Sequence, residues 1–99
     1  MYNFAYYMNH EVKHLPEASQ FVLDLGDKSA HADYHLSGNI MTIIHVYTPP
    51  EYRGHGIAAE VTKFALDYCR DNKLKVIPKC PYARDYIDRH KEYESLQAR

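Results

Sequence analysis

Ninety-nine residues make one domain, since domains usually run ~100–150 residues. A core burying roughly 60–65% of the unfolded surface excludes a dinucleotide-binding dehydrogenase, an α/β barrel or a multidomain enzyme within this length. Hydrophobic residues at 45% and charged residues at 25% exclude disorder throughout, and twelve basic against thirteen acidic residues, a net charge of −1, leave no footprint of a general nucleic-acid binder.

Met1 to His10 reads as a loosely ordered lead-in. It is polar-aromatic and lacks the basic and apolar regions of a secretory signal. Glu11 to His14 is a short edge strand ended by Pro16. In Gln20 to Leu25 the residues Phe21, Leu23 and Leu25 share one face, which predicts a strand. Gly26-Asp27-Lys28 is a turn. Ser29 to Leu36 continues as a strand with Ala30, Ala32, Tyr34 and Leu36 alternating against polar residues. Ser37-Gly38-Asn39 turns the chain again. Ile40 to Tyr47 is the most β-branched run and the expected buried strand. Three-residue turns containing glycine make these strands an antiparallel meander.

Thr48-Pro49-Pro50 stops the strand. From Ile57 the period becomes 3.6, with Ile57, Val61, Phe64, Ala65 and Tyr68 on one stripe of a helix that ends near Asn72. Lys73 to Ile77 is a short strand. Because it follows a helix, it is expected to pair in parallel with Ile40–Tyr47 by a crossover. Pro81 suits the first turn of a second helix, with Tyr82 or Ala83, Tyr86, Ile87 and His90 as its stripe. The tail from Lys91 is charged and is expected to fray, with 94–99 loosely ordered. The fold class is therefore α+β with a mixed sheet, one domain over 1–99.

Cys69 and Cys80 do not form a disulfide framework, and no apolar run approaches the ~20 residues of a membrane span. A reducing cytoplasmic setting follows. Seven histidines invite a metal reading, but no H-E-x-x-H or C-x-x-C pattern accompanies them. His31 and His35 fall in a strand, so they read as solvent-facing polar positions and no metal is expected.

The stretch Arg53-Gly54-His55-Gly56-Ile57-Ala58 lies between a strand and a helix. Glycines let the backbone approach a ligand and adopt positive φ, and a helix N-terminus offers unpaired N–H groups to an anion. The plain alternative is a tight loop that only turns the chain. A P-loop would need Lys-Ser/Thr where Ile57-Ala58 stands. A dinucleotide fingerprint is formally matched by Gly54, Gly56 and Ala59, yet Pro49 to Arg53 intervene and the next strand ends in Pro78-Lys79 rather than in an acid. The pattern R/Q-x-x-G-x-G/A is matched by Arg53, Gly56 and Ala58.

That last pattern resembles the acetyl-coenzyme-A loop of the GCN5-related N-acetyltransferase superfamily. The likeness runs on through His45, Pro50 to Ala58, Leu74-Lys75-Val76-Ile77-Pro78, Cys80-Pro81-Tyr82-Ala83, Tyr86 and His90-Lys91-Glu92-Tyr93. These are similar to the small single-domain YjdJ-type branch. The resemblance implies a GNAT-like fold that binds acetyl-CoA and transfers the acetyl group to an amine. The pyrophosphate would sit on the backbone of Arg53, Gly54, His55, Gly56, Ile57 and Ala58. The pantetheine arm would lie in a splay between strands 40–47 and 73–77, paired with Val46 and Tyr47. Cys80 and Tyr82 would border the same molecule. The helical pair that follows the first strand in larger members has no counterpart here, so the acceptor is unassigned.

Three residues carry candidate chemistry. Cys80 precedes a helix N-terminus beside Lys79, a setting that favours a thiolate nucleophile; the alternative is a half-buried cysteine filling a corner. His45, in the strand expected to be buried, is either a proton acceptor or a structural histidine holding a hydrogen-bond partner. Tyr86, one turn from Tyr82, either protonates a departing thiolate or packs in the core. Cys69 reads as packing. The ten tyrosines suggest an amphipathic sheet face that would also suit a homodimer. A non-catalytic acyl-CoA-binding or sensor module is the alternative function, and a protein–protein adaptor needs neither cofactor nor base. No nucleic-acid or membrane partner is expected.

Overall fold

The computed structural model describes residues 11–98. The lead-in expected over 1–10 lies outside them. Five strands form one sheet in chain order: β1 (Val12–Leu15), β2 (Gln20–Asp24), β3 (Ser29–Ser37), β4 (Ile40–Tyr47) and β5 (Lys75–Pro78). The first four pair antiparallel, and β5 pairs in parallel with β4. Helix α1 (Ile57–Asp71) makes the connection between β4 and β5, and α2 (Pro81–Arg89) follows β5. This is the α+β mixed sheet that the alternation and the turn glycines predicted.

One sheet face carries the core. Phe21, Leu23, Ala30, Ala32, Met41 and Ile43 are all at most 1% exposed and pack with residues of α1 and α2 in a single cluster. The buried stripe of α1 differs from expectation. Thr62, Leu66 and Cys69 join Ile57, Val61 and Ala65 inside, while Phe64 is 38% exposed. The buried stripe is shifted from the five residues expected, because α1 lies over the sheet and also meets α2. Leu36 is 44% exposed although its alternation pointed inward.

The expectation that Ile40–Tyr47 is buried along its length is corrected. Asp33 pairs with His45 and Tyr34 with Ile43, so Ile44 is an extra residue, a β-bulge. Met41 and Ile43 are buried before it; Ile44 and His45 are exposed at it. Alternation then resumes, and Val46 packs against the core.

The opposite sheet face is open among the described residues. It carries Gln20, Val22, His31, Asp33, His35, Thr42, His45 and Tyr47, and none of these is buried. His31 and His35 stand on this face, as their strand placement predicted.

The described tail, 91–98, is docked on the fold, which corrects the expectation of a loose end there. Lys91–Leu96 is a 3-10 helix, and Tyr93 is 2% exposed. The Tyr93 hydroxyl donates to Asp67 Oδ1 at 2.6 Å, and Gln97 bridges in parallel to Val76, with Ala98 N–H donating to the Val76 carbonyl at 2.9 Å. One aromatic anchor outweighs the polar composition around it, because its ring area and its bonded hydroxyl both favour burial. Burial pushes the Asp67 carboxyl up, but hydrogen bonds from Lys63 and Tyr93 and the nearby Arg70 hold it below its ordinary value on balance. Its contribution is present above the ordinary carboxylate value and is lost as pH falls below it. A Tyr93→Ala variant is expected to lose about 3 kcal/mol of stability. Glu92→Ala, on the exposed side of the same turn, should change it by less than ~0.5 kcal/mol. Urea midpoints of the two variants check this.

Candidate functional site

The parallel pairing of β4 with β5 covers only Ile40–Ile43 against Lys75–Pro78. The Cys80 N–H closes it by donating to the Ile43 carbonyl at 3.0 Å. Pro81 then starts α2 and carries the chain away. Beyond the bulge, the edge of β4 from Ile44 to Tyr47 has no strand beside it on this side among the described residues. A splay opens there, as the sequence implied.

A cleft of about 380 Å³ occupies the mouth of the splay. Its wall on the β4 side is His45, Val46, Tyr47 and Thr48; its floor is Arg53, Gly54, Gly56, Ile57 and Ala58; Tyr82 of α2 faces them. Both glycines are left-handed, Gly54 at φ 88° and Gly56 at φ 77°. This conformation costs other L-residues roughly 1–2 kcal/mol. Gly56 is the N-cap of α1, and no side chain caps that end. The first helical bond runs from Glu60 N–H to the Gly56 carbonyl. The N–H groups of Ile57, Ala58 and Ala59 therefore stand outside the helix ladder, at the positive end of a fifteen-residue helix.

The loop before the glycines is tethered. Pro50–Tyr52 forms a 3-10 turn, Tyr52 donates to Asp27 Oδ1 at 2.8 Å, and Lys28 pairs with Glu51. The β2–β3 turn thus holds the loop from outside. The exposed Lys28–Glu51 pair positions more than it stabilises. The Lys28 hydrogen bond holds the Glu51 carboxyl below its ordinary value. Arg53 Nε donates to the Thr48 carbonyl at 3.0 Å, which draws the guanidinium alongside the cleft.

Thr48 is the residue that sequence reasoning missed. It lines the cleft at 8% exposed, and its Oγ1 is buried with no partner among the described residues. A buried hydroxyl without a partner costs roughly 1–3 kcal/mol; Thr62 Oγ1, in the core under α1, is in the same state among the described residues. At both loop glycines an added Cβ would meet no protein atom within 4 Å, so their positive φ rather than crowding is what favours glycine there. Two left-handed glycines and an uncapped helix end beside a cleft fit a phosphate-bearing ligand.

Of the residues singled out in the sequence, nine meet at the cleft: His45, Val46, Tyr47, Arg53, Gly54, Gly56, Ile57, Ala58 and Tyr82. His55, Cys80 and Tyr86 are not in its lining. Tyr86 is 8% exposed and stacks on His90 with ring centroids 3.9 Å apart, on the core side of α2. Burial raises its phenol pKa, and the same cause acts on Tyr82. His45 is exposed, so the expectation of a buried histidine needing a core partner is corrected; the bulge at Ile44 brings it out.

Both cysteines are unpaired thiols. Cys69 is fully buried with its Sγ 3.4 Å from Met41 Sδ, and burial pushes its thiol up to about 12. Cys80 is 6% exposed at the N-cap of α2. Iodoacetamide near neutral pH is expected to mark Cys80 before Cys69, read by mass spectrometry of the digest. Faster labelling of Cys69 would contradict this packing.

A splayed β4–β5 pair with a glycine loop leading into α1 defines an acyltransferase-type fold. The chain belongs to the GCN5-related N-acetyl-transferase family, whose profile matches residues 20–96. It is 30% identical over 80 residues to "Protein NATD1" of Gallus gallus, covering 78% of this chain and 73% of that protein. The Homo sapiens "Protein NATD1" is 30% identical over 79 residues, covering 77% and 70%. The solution structure of a protein described as GCN5-like, from Staphylococcus aureus, superposes with a TM-score of 0.71 at 23% identity, over 89% of this chain and 87% of that one. No helix among the described residues is long and apolar enough to cross a membrane, and none of their His, Cys, Asp and Glu side chains group to hold a metal ion.

Proposed function

We propose that the chain binds acetyl-CoA in the cleft and transfers its acetyl group to an amine. The observation that carries this reading is the uncapped N-terminus of α1, presented by two left-handed glycines at the open end of β4–β5. The N–H groups of Ile57, Ala58 and Ala59 hold the pyrophosphate, with the Arg53 guanidinium beside it. The edge of β4 at Val46 and Tyr47, which no described strand covers, pairs with the amides of the arm that runs from there as a neighbouring strand would. Two unpaired thiols in the chain suit a reducing cytoplasm.

The bound molecule supplies a thioester carbonyl. The amine nitrogen forms a bond to that carbon, the carbon–sulfur bond breaks, and the thiol leaves. His45, at the cleft edge on the open face, takes the proton that the amine sheds. Tyr82 gives the departing sulfur a proton. It lines the cleft where Tyr86 does not, and partial burial raises its phenol pKa. Transfer is direct rather than through Cys80, which is 6% exposed and does not line the cleft.

Acetyl transfer to a panel of primary amines tests the reading. Tyr82→Phe is expected to lower kcat about a hundredfold while keeping acetyl-CoA affinity within about tenfold. Tight acetyl-CoA binding with no transfer to any amine would instead make the chain a non-catalytic acyl-CoA module.

A further inference from the structure

The turn between β2 and β3 does not line the cleft, yet it grips the loop that does. The turn is fixed at its base. Leu25 is buried, its N–H donates to the Lys28 carbonyl at 2.8 Å, and the Gly26 N–H donates to Asp24 Oδ1 at 2.8 Å. Two neighbouring residues of the turn then meet two neighbouring residues of the loop. The Tyr52 hydroxyl donates to Asp27 Oδ1 at 2.8 Å, and Lys28 pairs with Glu51 beside it. Both contacts are exposed, where such pairs add little to folding. Tyr52 joins the two regions. Its ring packs against the core and lines the cleft, while its hydroxyl is held by Asp27 from outside.

We infer that Asp27 is a positioning residue for the coenzyme: acting through Tyr52, it holds the loop in the shape that presents the α1 N–H groups to the phosphates. The inference rests on the acetyl-CoA reading of the cleft. The composition of the loop is what makes a clasp matter. Gly54 and Gly56 sit at φ 88° and 77°, and glycine reaches negative φ about as readily. The glycine half therefore does not hold its own shape. Pro49 and Pro50 fix φ in the other half, where the Tyr52 and Arg53 N–H groups close the turn on their carbonyls at 2.9 and 3.3 Å. A bond from Tyr52 to the β2–β3 turn carries the rigidity of the sheet up to the edge of the glycines. Without it the ligand must order the loop as it binds, which costs affinity rather than folding. The sign of the effect is distinctive. Charge alone would leave an anion's affinity unchanged or raise it when a carboxylate is removed; the clasp lowers it.

Calorimetry with CoA tests this. Asp27→Ala and Tyr52→Phe are each expected to weaken CoA about fivefold, the effect of one hydrogen bond. The double variant should stay within about twofold of either single one, because the same bond is lost in all three. Asp27→Asn keeps an oxygen that the Tyr52 hydroxyl can reach and should bind within about twofold of wild type. Amide spectra establish that each variant is folded; should Asp27→Ala fail, Tyr52→Phe, which keeps the packed ring, decides alone. Wild-type affinity in the folded variants, additive losses in the double variant, or Asp27→Asn as weak as Asp27→Ala would overturn the inference. The wild-type titration is run first. Absence of CoA binding there would overturn the cofactor reading. Hydrogen exchange of the Tyr52 and Arg53 amides in the unloaded chain would then decide the clasp alone: it should quicken about fivefold in Tyr52→Phe, and an unchanged rate would overturn it.

Discussion

A Gly56→Val variant is expected to fold and to lose CoA binding by at least a hundredfold. Two physical effects add. Gly56 sits at φ 77°, and a β-branched residue held there costs about 1–3 kcal/mol, against a total of about 5–15 kcal/mol for a domain. The native state survives this, but the loop relaxes toward negative φ and turns the N–H groups of α1 away from the ligand. The added side chain also projects where no protein atom lies within 4 Å, space that the phosphates take on the proposed reading. Arg53→Ala removes one charge-assisted contact and should cost only about 1–3 kcal/mol of binding. The contrast separates a backbone site from a side-chain site, and calorimetry reads both. Equal CoA affinity in folded Gly56→Val and wild type would move the site elsewhere.

Acetyl-CoA is expected to raise the melting temperature by on the order of 10 °C or more. A ligand that binds only the native state adds about 2.7 kcal/mol at a hundredfold excess over Kd. In a domain of this length each kcal/mol moves the midpoint by roughly 4–8 °C. On the proposed reading the uncapped α1 terminus would gain hydrogen-bond partners from the ligand, which acts in the same direction. Differential scanning fluorimetry at millimolar acetyl-CoA checks the value. An unmoved midpoint would remove the cofactor assignment.

Much of this could be read from residue order. Phe21, Leu23 and Leu25 alternate cleanly because β2 is regular and packed on one face only. Gly54 and Gly56 stood out because positive φ before a helix leaves few other choices of residue. The splay was implied only by the family resemblance of the glycine loop; the register shows its reason, since Pro78 is the last β5 residue paired with β4 and Pro81 starts α2. The rest depended on long-range contacts. Period-two patterning cannot reveal an inserted residue, so the Ile44 bulge stayed hidden and His45 was placed in a buried strand. Tyr93 lies in a charged run, and only its partner Asp67, 26 residues earlier in the chain, explains its burial. Thr48 reads as a strand end until the cleft around it is closed. Asp33 and His45 come together through the β3–β4 register, which hydropathy does not encode once a bulge shifts it.

The most direct measurement is an amide-resolved titration of the chain with acetyl-CoA. Resonances of Val46 and Tyr47, of Gly54 through Ala58 and of Tyr82 are expected to move together and saturate, with those of the α2–tail contact around Tyr93 still. Resonances that stay fixed at millimolar acetyl-CoA, or that move only on the surface around Lys13 and Ser29, would contradict a cofactor cleft at the β4–β5 splay.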